Sequence, residues 1–326
     1  MNLAIKVPNN LNEKVLTFPF LHKLVKELQK KFDEELEDEV LNLHLISTKN
    51  NIDVLNLLPF NAYYHELEEE DLKTVFTVHR ACTQLKIENI DLYLSLTESF
   101  VDASIGKNLK AKKSIGFNIS KNNLFLNIKN EFLSDEHFAK RLFEHWPSFF
   151  NKKMNEVPNV CSRDLTPFLS NWNEEPYFII DLNVKDKFIN EEWKELIDLF
   201  EHKKIILMCS EIELDLQRSF VTDFQKTLSK SNQYEFFEYK SNIEFAKLSS
   251  YSKAFVSENS GLIKLASYSG TYSFFLNKQN ESKLMDGRYF YGEIESFSKN
   301  GSQFNYANIF DKVYAHIDSI IKEKTE

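Results

Sequence analysis

The sequence predicts an α/β protein built from two Rossmann-like domains of about 150 residues each. Three observations carry that prediction. Short apolar runs alternate with segments of helical spacing, which implies parallel sheets with right-handed crossovers. The alternation stops near mid-chain, where Pro158, Pro167 and Pro176 stand among Asn, Ser and Lys, so residues 158–176 read as a linker. After the linker it resumes, and its clearest unit is Ala254–Leu276, AFVSENSGLIKLASYSGTYSFFL. There an apolar run ending at Val256 reads as a strand, Ser257 to Gly261 as a turn, Leu262 to Tyr268 as a helix closed by Gly270, and Tyr272 to Leu276 as a second strand. Such a βαβ unit points the free N–H groups and positive dipole end of its helix at an anion, and a phosphate fits there.

The elements follow in order. Leu3–Val7 is a short buried strand, Pro8–Lys14 a polar loop, and Val15–Phe32 a helix whose apolar stripe is Leu21, Leu24, Val25 and Leu28. Leu41–Ser47 is a strand and Ile52–Leu57 a helix, while the acidic block Glu66–Lys73 reads as a solvated connection. Thr74–Gln84 is a helix, Leu92–Leu96 a strand, Ser99–Leu109 a helix and Lys110–Phe117 a strand. His137–Phe150 is an aromatic-rich helix that ends the first domain, residues 1–157. In the second domain, residues 177–305, strands at Tyr177–Leu182, Ile205–Cys209 and Glu235–Glu238 alternate with helices at Glu191–Phe200, Leu214–Leu228 and Ile243–Ser250. A last helix within residues 306–326 is long enough to pack back on the first domain.

Composition narrows the function classes. At 326 residues, with 42% hydrophobic and 27% charged, the chain can bury two cores. No apolar run of about 18 residues is present to span a membrane, and the start, MNLAIKVPNNLNEKV, carries no cleavage signal, so a soluble cytoplasmic protein is expected. A net charge of −9 opposes a nucleic-acid binder. Cys82, Cys161 and Cys209 are odd in number and far apart, which suggests three buried thiols rather than disulfides or a zinc site. The sequence has no Gly-x-Gly-x-x-Gly fingerprint, Walker loop, His-Glu-x-x-His or Gly-x-Ser-x-Gly elbow.

The element order, the segment IENIDLYLSLTESFVDASIGKNLKAKKSIGF in the first half and FVSENSGLIKLASYSG in the second resemble the heptosyltransferase family over nearly the whole chain. The resemblance implies a GT-B fold, two Rossmann-like domains facing across a cleft. It also implies metal-independent transfer of a sugar from a nucleotide-sugar donor, ADP-heptose favoured, to a lipopolysaccharide-core or other glycan acceptor, with no cofactor. The landmarks match by position more than by identity. Where the family has Gly-Asp before a proline, NEKVLTFP places Asn12 at the glycine, Glu13 at the catalytic Asp and Pro19 at the proline. Glu13 can serve as the general base, or simply be an acid favoured by a helix N-terminus.

Against the family's Asp-Ser-Gly-Pro-x-His, this chain has Asn259, Ser260, Gly261, Leu262, Ile263 and Lys264. Asn259, Ser260, Gly261 and Lys264 are therefore the donor-side candidates, with a surface role the alternative for Lys264. The family's Lys before Trp-Pro falls on Asp186, flanked by Lys185 and Lys187, and its nucleotide-contacting Glu maps to Glu213, with Glu211 the alternative. Ser95-Leu96-Thr97 replaces an Asp-x-Gln, which puts Thr97 on the acceptor side. Lys14 and the run KNLKAKK, through Lys110, Lys112 and Lys113, are the cations for an acidic or lipid-linked saccharide, and the same run suits peripheral contact with the cytoplasmic face of the inner membrane. A solvated loop is the alternative for that run. The number of altered positions keeps a second function open: a non-catalytic GT-B protein binding a nucleotide sugar, a glycan or a protein partner.

Overall fold

A computed structural model describes residues 1–35, 40–119, 124–154, 177–181, 204–210, 234–277 and 292–298, together with 308, 309, 311–313, 315, 316 and 319. The chain divides into two compact units, Met1–Cys161 and Ser162–Glu326.

The first unit holds a six-stranded parallel sheet in the order β3-β2-β1-β4-β5-β6. Its strands are β1 (Asn2–Lys6), β2 (Asn42–Thr48), β3 (Tyr63–Leu67), β4 (Leu92–Ser95), β5 (Lys113–Phe117) and β6 (Ile128–Asn130). The second unit repeats the pattern as β12-β11-β10-β7-β8-β9. Here β7 is Tyr177–Asp181, β8 Lys204–Ser210, β9 Tyr234–Tyr239, β10 Ala254–Ser257, β11 Ser273–Asn277 and β12 Ile294–Ser298. Counted from its own first strand, each sheet reads 3-2-1-4-5-6, the doubly wound order in which ligands sit beyond the carboxyl ends of the two strands where the winding reverses. Those strands are β1 and β4 in the first unit, β7 and β10 in the second. Their buried residues are nearly continuous and apolar, as Leu3, Ala4 and Ile5 in β1 and Phe178, Ile179 and Ile180 in β7 show, the pattern of strands enclosed on both faces.

Several helices differ from the sequence reading. Pro8–Lys14 is not all loop: Asn10 accepts the Glu13 N–H through Oδ1 at 2.8 Å and caps helix α1 (Leu11–Leu16). The expected long helix is two, α1 and α2 (Phe18–Glu35), because Pro19 has no N–H to return to the carbonyl of Val15 and the chain re-starts at Thr17. The apolar stripe of α2 is as expected, with Leu21, Leu24, Val25 and Leu28 all buried. Residues Asp53–Leu57 form a 3-10 turn rather than an α-helix, and the acidic block contains the end of β3 and a second 3-10 turn, Glu69–Leu72, closed by reciprocal Glu68 and Asp71 bonds. Helices α3 (Val75–Gln84) and α4 (Phe100–Asn108) follow their caps Thr74 and Ser99. The aromatic segment is broken into α5 (Phe138–Leu142), a 3-10 turn and α6 (Pro147–Phe150), since Pro147 can only begin a helix.

In the second unit, α7 (Asn242–Tyr251) and α8 (Ser260–Tyr268) flank β10. The described part of the C-terminal segment packs within its own unit. His316 stacks on Tyr272 at 3.9 Å between centroids and Lys312 pairs with Glu295 at 3.2 Å, because Tyr272 and Phe274 offer aromatic surface there. The expected linker and the expected helices at 191–200 and 214–228 lie outside the described residues, as does Cys161. Cys82 is a buried free thiol.

Candidate functional site

In the first unit, β1 and β4 lie side by side with Lys6 opposite Ser95, so the segment leading to α1 and the loop holding Thr97 leave the same end of the sheet. Glu13 sits in the first turn of α1, partly exposed, where the positive end of the helix favours a carboxylate. Asn12 is beside it on the same turn. Beneath them lies a polar cluster that sequence reading missed. Lys6 is fully buried, and its Nζ donates to Val7 O and to Asn9 Oδ1, both at 2.6 Å, with Asp102 Oδ2 3.8 Å away. Asp102, also buried, accepts from Thr97 Oγ1 at 2.8 Å, and Thr97 is 3.2 Å from the Ser95 hydroxyl. Burial pushes the Lys6 pKa down, and the Asp102 charge opposes that shift. A lysine closing the apolar run LAIKV was the available signal for this cluster.

Lys14 does not face outward as a cation for an acceptor. It is fully buried and its Nζ donates to Asn50 O at 3.2 Å and Asn51 O at 3.0 Å, tying α1 to the turn after β2. Burial, then the neighbouring Lys6, lower its pKa to about 7, with Asp53 pulling the other way. Lys110, Lys112 and Lys113 are at the wrong end of the sheet for the site. They connect α4 to the start of β5, where the Lys112 N–H bonds Ile90 O and the Lys112 ammonium pairs with Asp91 at 2.6 Å. A parallel sheet alternates its connections between the two ends of its strands, so the segment before β5 lies opposite the segment after β1.

In the second unit, Asp181 ends β7 and Ser257 ends β10, and the Ser257 hydroxyl donates to Asp181 Oδ2 at 2.6 Å with both residues buried. Ser257 Oγ in turn accepts the Asn259 N–H at 2.9 Å. Asn259 caps α8, its Oδ1 accepting from Gly261 N at 3.0 Å and Leu262 N at 3.2 Å. Two of the N–H groups expected to be free for a phosphate, those of Gly261 and Leu262, are thus already engaged by a neutral cap. Lys264 is buried rather than on the surface. Asn259→Ala should lower stability by about 1 kcal/mol, the usual worth of an N-cap, while Asn259→Asp keeps it; equal denaturation midpoints for Ala and wild type would refute the capping role. Lys185, Lys187 and Glu213 lie outside the described residues.

No family model and no curated protein matches the sequence. Solved structures do match. Escherichia coli ADP-heptose LPS heptosyltransferase II aligns over 100% of both chains at a TM-score of 0.71 and 12% identity. E. coli heptosyltransferase WaaC with ADP aligns over 99% of both at 0.71 and 14%. The chain has the GT-B fold. A glycosyltransferase of family 9 from Veillonella parvula aligns over 95% of this chain and 90% of its own at 0.70 and 11% identity. At such identities the likeness fixes the GT-B topology and leaves the chemistry to the side chains.

Proposed function

We propose that this chain is a metal-independent glycosyltransferase that moves a sugar from a nucleotide-sugar donor, ADP-heptose favoured, to a lipopolysaccharide-core or other glycan acceptor. The observation that supports the reading is the match over the whole chain to heptosyltransferases, one of them solved with ADP. Glu13 takes the proton of the acceptor hydroxyl as its oxygen bonds the anomeric carbon and the bond to the leaving diphosphate breaks. The positive dipole end of α8 at Ser260 and Gly261, joined by Lys185 or Lys187, meets the charge that develops on the diphosphate. Glu213 accepts hydrogen bonds from the ribose hydroxyls. Asn12 and Thr97 border the acceptor side, while Lys14 ties the helix that carries Glu13 to the turn after β2 and Lys264 is buried within the helix that carries Ser260.

A second reading, a GT-B protein that binds a nucleotide sugar without transferring it, is favoured by one observation. The Asp181 carboxylate stands behind the α8 turn, where it repels a diphosphate. Calorimetry with ADP-, UDP- and GDP-sugars, without added metal, tests the first reading. Binding of one of them is expected, and binding of none would remove both readings. Binding with no hydrolysis or transfer over hours would leave only the second.

A further inference from the structure

Outside the site just described, a groove of about 660 Å³ runs along the outward face of α2 and against Pro59 and Phe60, the chain between the first 3-10 turn and β3. That volume is in the range of small-molecule sites. Its lining has three kinds of chemistry in sequence. Pro19, Pro59 and Phe60 are apolar, and the His22 ring meets Phe60 edge-on at 6.2 Å between centroids. Lys23, Lys26 and Lys30 then follow at spacings of three and four, which places them on one helix face. Asp33 and Glu34 close the far end.

The cations are not equivalent. Lys23 is held by Glu27 at 2.7 Å and Lys30 lies 3.8 Å from Glu34, whereas Lys26 is exposed and forms no ion pair among the described residues. Lys26 therefore stands between two other ammonium groups with no carboxylate paired to it among the described residues, in a chain whose net charge is −9. From Lys26 to Asp33 is seven residues, about 10 Å along the helix axis.

We propose that this groove binds an anionic saccharide, in its simplest form a sugar phosphate. The phosphate bonds Lys26, with Lys23 and Lys30 on either side. The apolar face of the sugar ring lies on Phe60 and the two prolines. Its hydroxyls donate to Asp33 and Glu34 and accept from Gln29. The inference does not use Glu13 or the nucleotide-sugar reading, so it stands or falls separately from them.

The test is NMR titration of the full-length protein with mannose 6-phosphate, mannose and inorganic phosphate, read on the His22 ring. Burial holds the His22 pKa down to about 4, so a bound anion will both shift its resonances and raise that pKa. Mannose 6-phosphate is expected to give a saturable shift at a dissociation constant at least about tenfold below those of the other two, because mannose forgoes the charge-assisted bonds to Lys26 and inorganic phosphate forgoes the ring and its hydroxyls. Lys26→Glu and Phe60→Ala should each weaken it by about tenfold or more. An unchanged His145 ring signal, from the buried core far from solvent, confirms in each variant that the fold is intact. No saturable shift with mannose 6-phosphate, equal binding of inorganic phosphate, or full affinity in a folded Lys26→Glu variant would each overturn the proposal.

Discussion

Replacing Glu13 with Gln is expected to slow sugar transfer by about 10²- to 10⁴-fold, the contribution of a positioned general base. Gln keeps the length and the hydrogen-bonding outline of Glu and removes only its ability to take a proton. The helix survives the change, because the bond that starts α1 runs from the Glu13 backbone N–H to Asn10 Oδ1 and does not involve the Glu13 side chain. Donor affinity measured by calorimetry should therefore stay at the wild-type value while the rate falls. Glu13→Asp tests geometry. It restores a base one methylene shorter, and since proton transfer needs hydrogen-bond reach, its rate should lie between those of Glu and Gln. A Gln variant with the full rate would end the assignment, and Asp102, at the same end of the sheet, is no substitute because it is buried and already accepts from Thr97.

What the sequence made legible is the part of the fold that rests on apolar runs. Strands β1, β2, β4, β5, β7 and β10 lie near the middle of their sheets or beside it, are buried on both faces, and so read as continuous hydrophobic stretches. The edges did not. β3 (YYHEL), β6 (IKN) and β12 (IESFS) are short and carry polar residues, because one side of an edge strand faces water, and their signal sinks into that of loops. The two breaks in helices, at Pro19 and Pro147, were visible as prolines, but an apolar stripe continues across both of them, and periodicity alone cannot show that the axis turns.

The place of α8 was legible, since a strand, a polar turn and a helix follow one another from Ala254, whereas Leu11–Lys14 of α1 reads as part of a loop. Burial was not legible. Lys14 and Lys264 read as cations for a ligand, and each is enclosed, because whether a lysine faces in or out depends on which neighbouring loop closes over it, here residues 50 and 51 for Lys14. The lysines at 110, 112 and 113 show the same limit in another form. A dense basic run is easy to see in a sequence, but the end of the sheet it occupies follows from strand order, which composition does not carry.

The largest stability effect is expected at the buried pair under α1. Asp102→Ala should cost about 3–5 kcal/mol at pH 7, because it leaves the Lys6 ammonium without its counter-charge and Thr97 without its acceptor. Asp102→Asn keeps an acceptor for Thr97 and removes only the charge, so the difference between the two variants isolates the hydrogen bond. The pH dependence follows from the sign of the lysine shift. Burial already lowers the Lys6 pKa below 10.5, and Asp102 is what raises it, so loss of Asp102 lowers it further. For a cation with a depressed folded-state pKa, the unfolded chain binds more protons between the two pKa values, and stability therefore rises with pH across that window. Because loss of Asp102 extends that window at its lower end, the deficit of Asp102→Asn should shrink as pH rises from the Lys6 pKa of the variant to that of the parent, as the folded variant sheds the Lys6 proton. In the double variant Lys6→Met, Asp102→Asn, which has no buried charge, the pH-dependent recovery should vanish and most of the lost stability should return. Urea unfolding of the four proteins as a function of pH measures this. A deficit in Asp102→Asn that is below about 1 kcal/mol, or that Lys6→Met fails to relieve, would mean the pair is not what holds the β1 and β4 loops together.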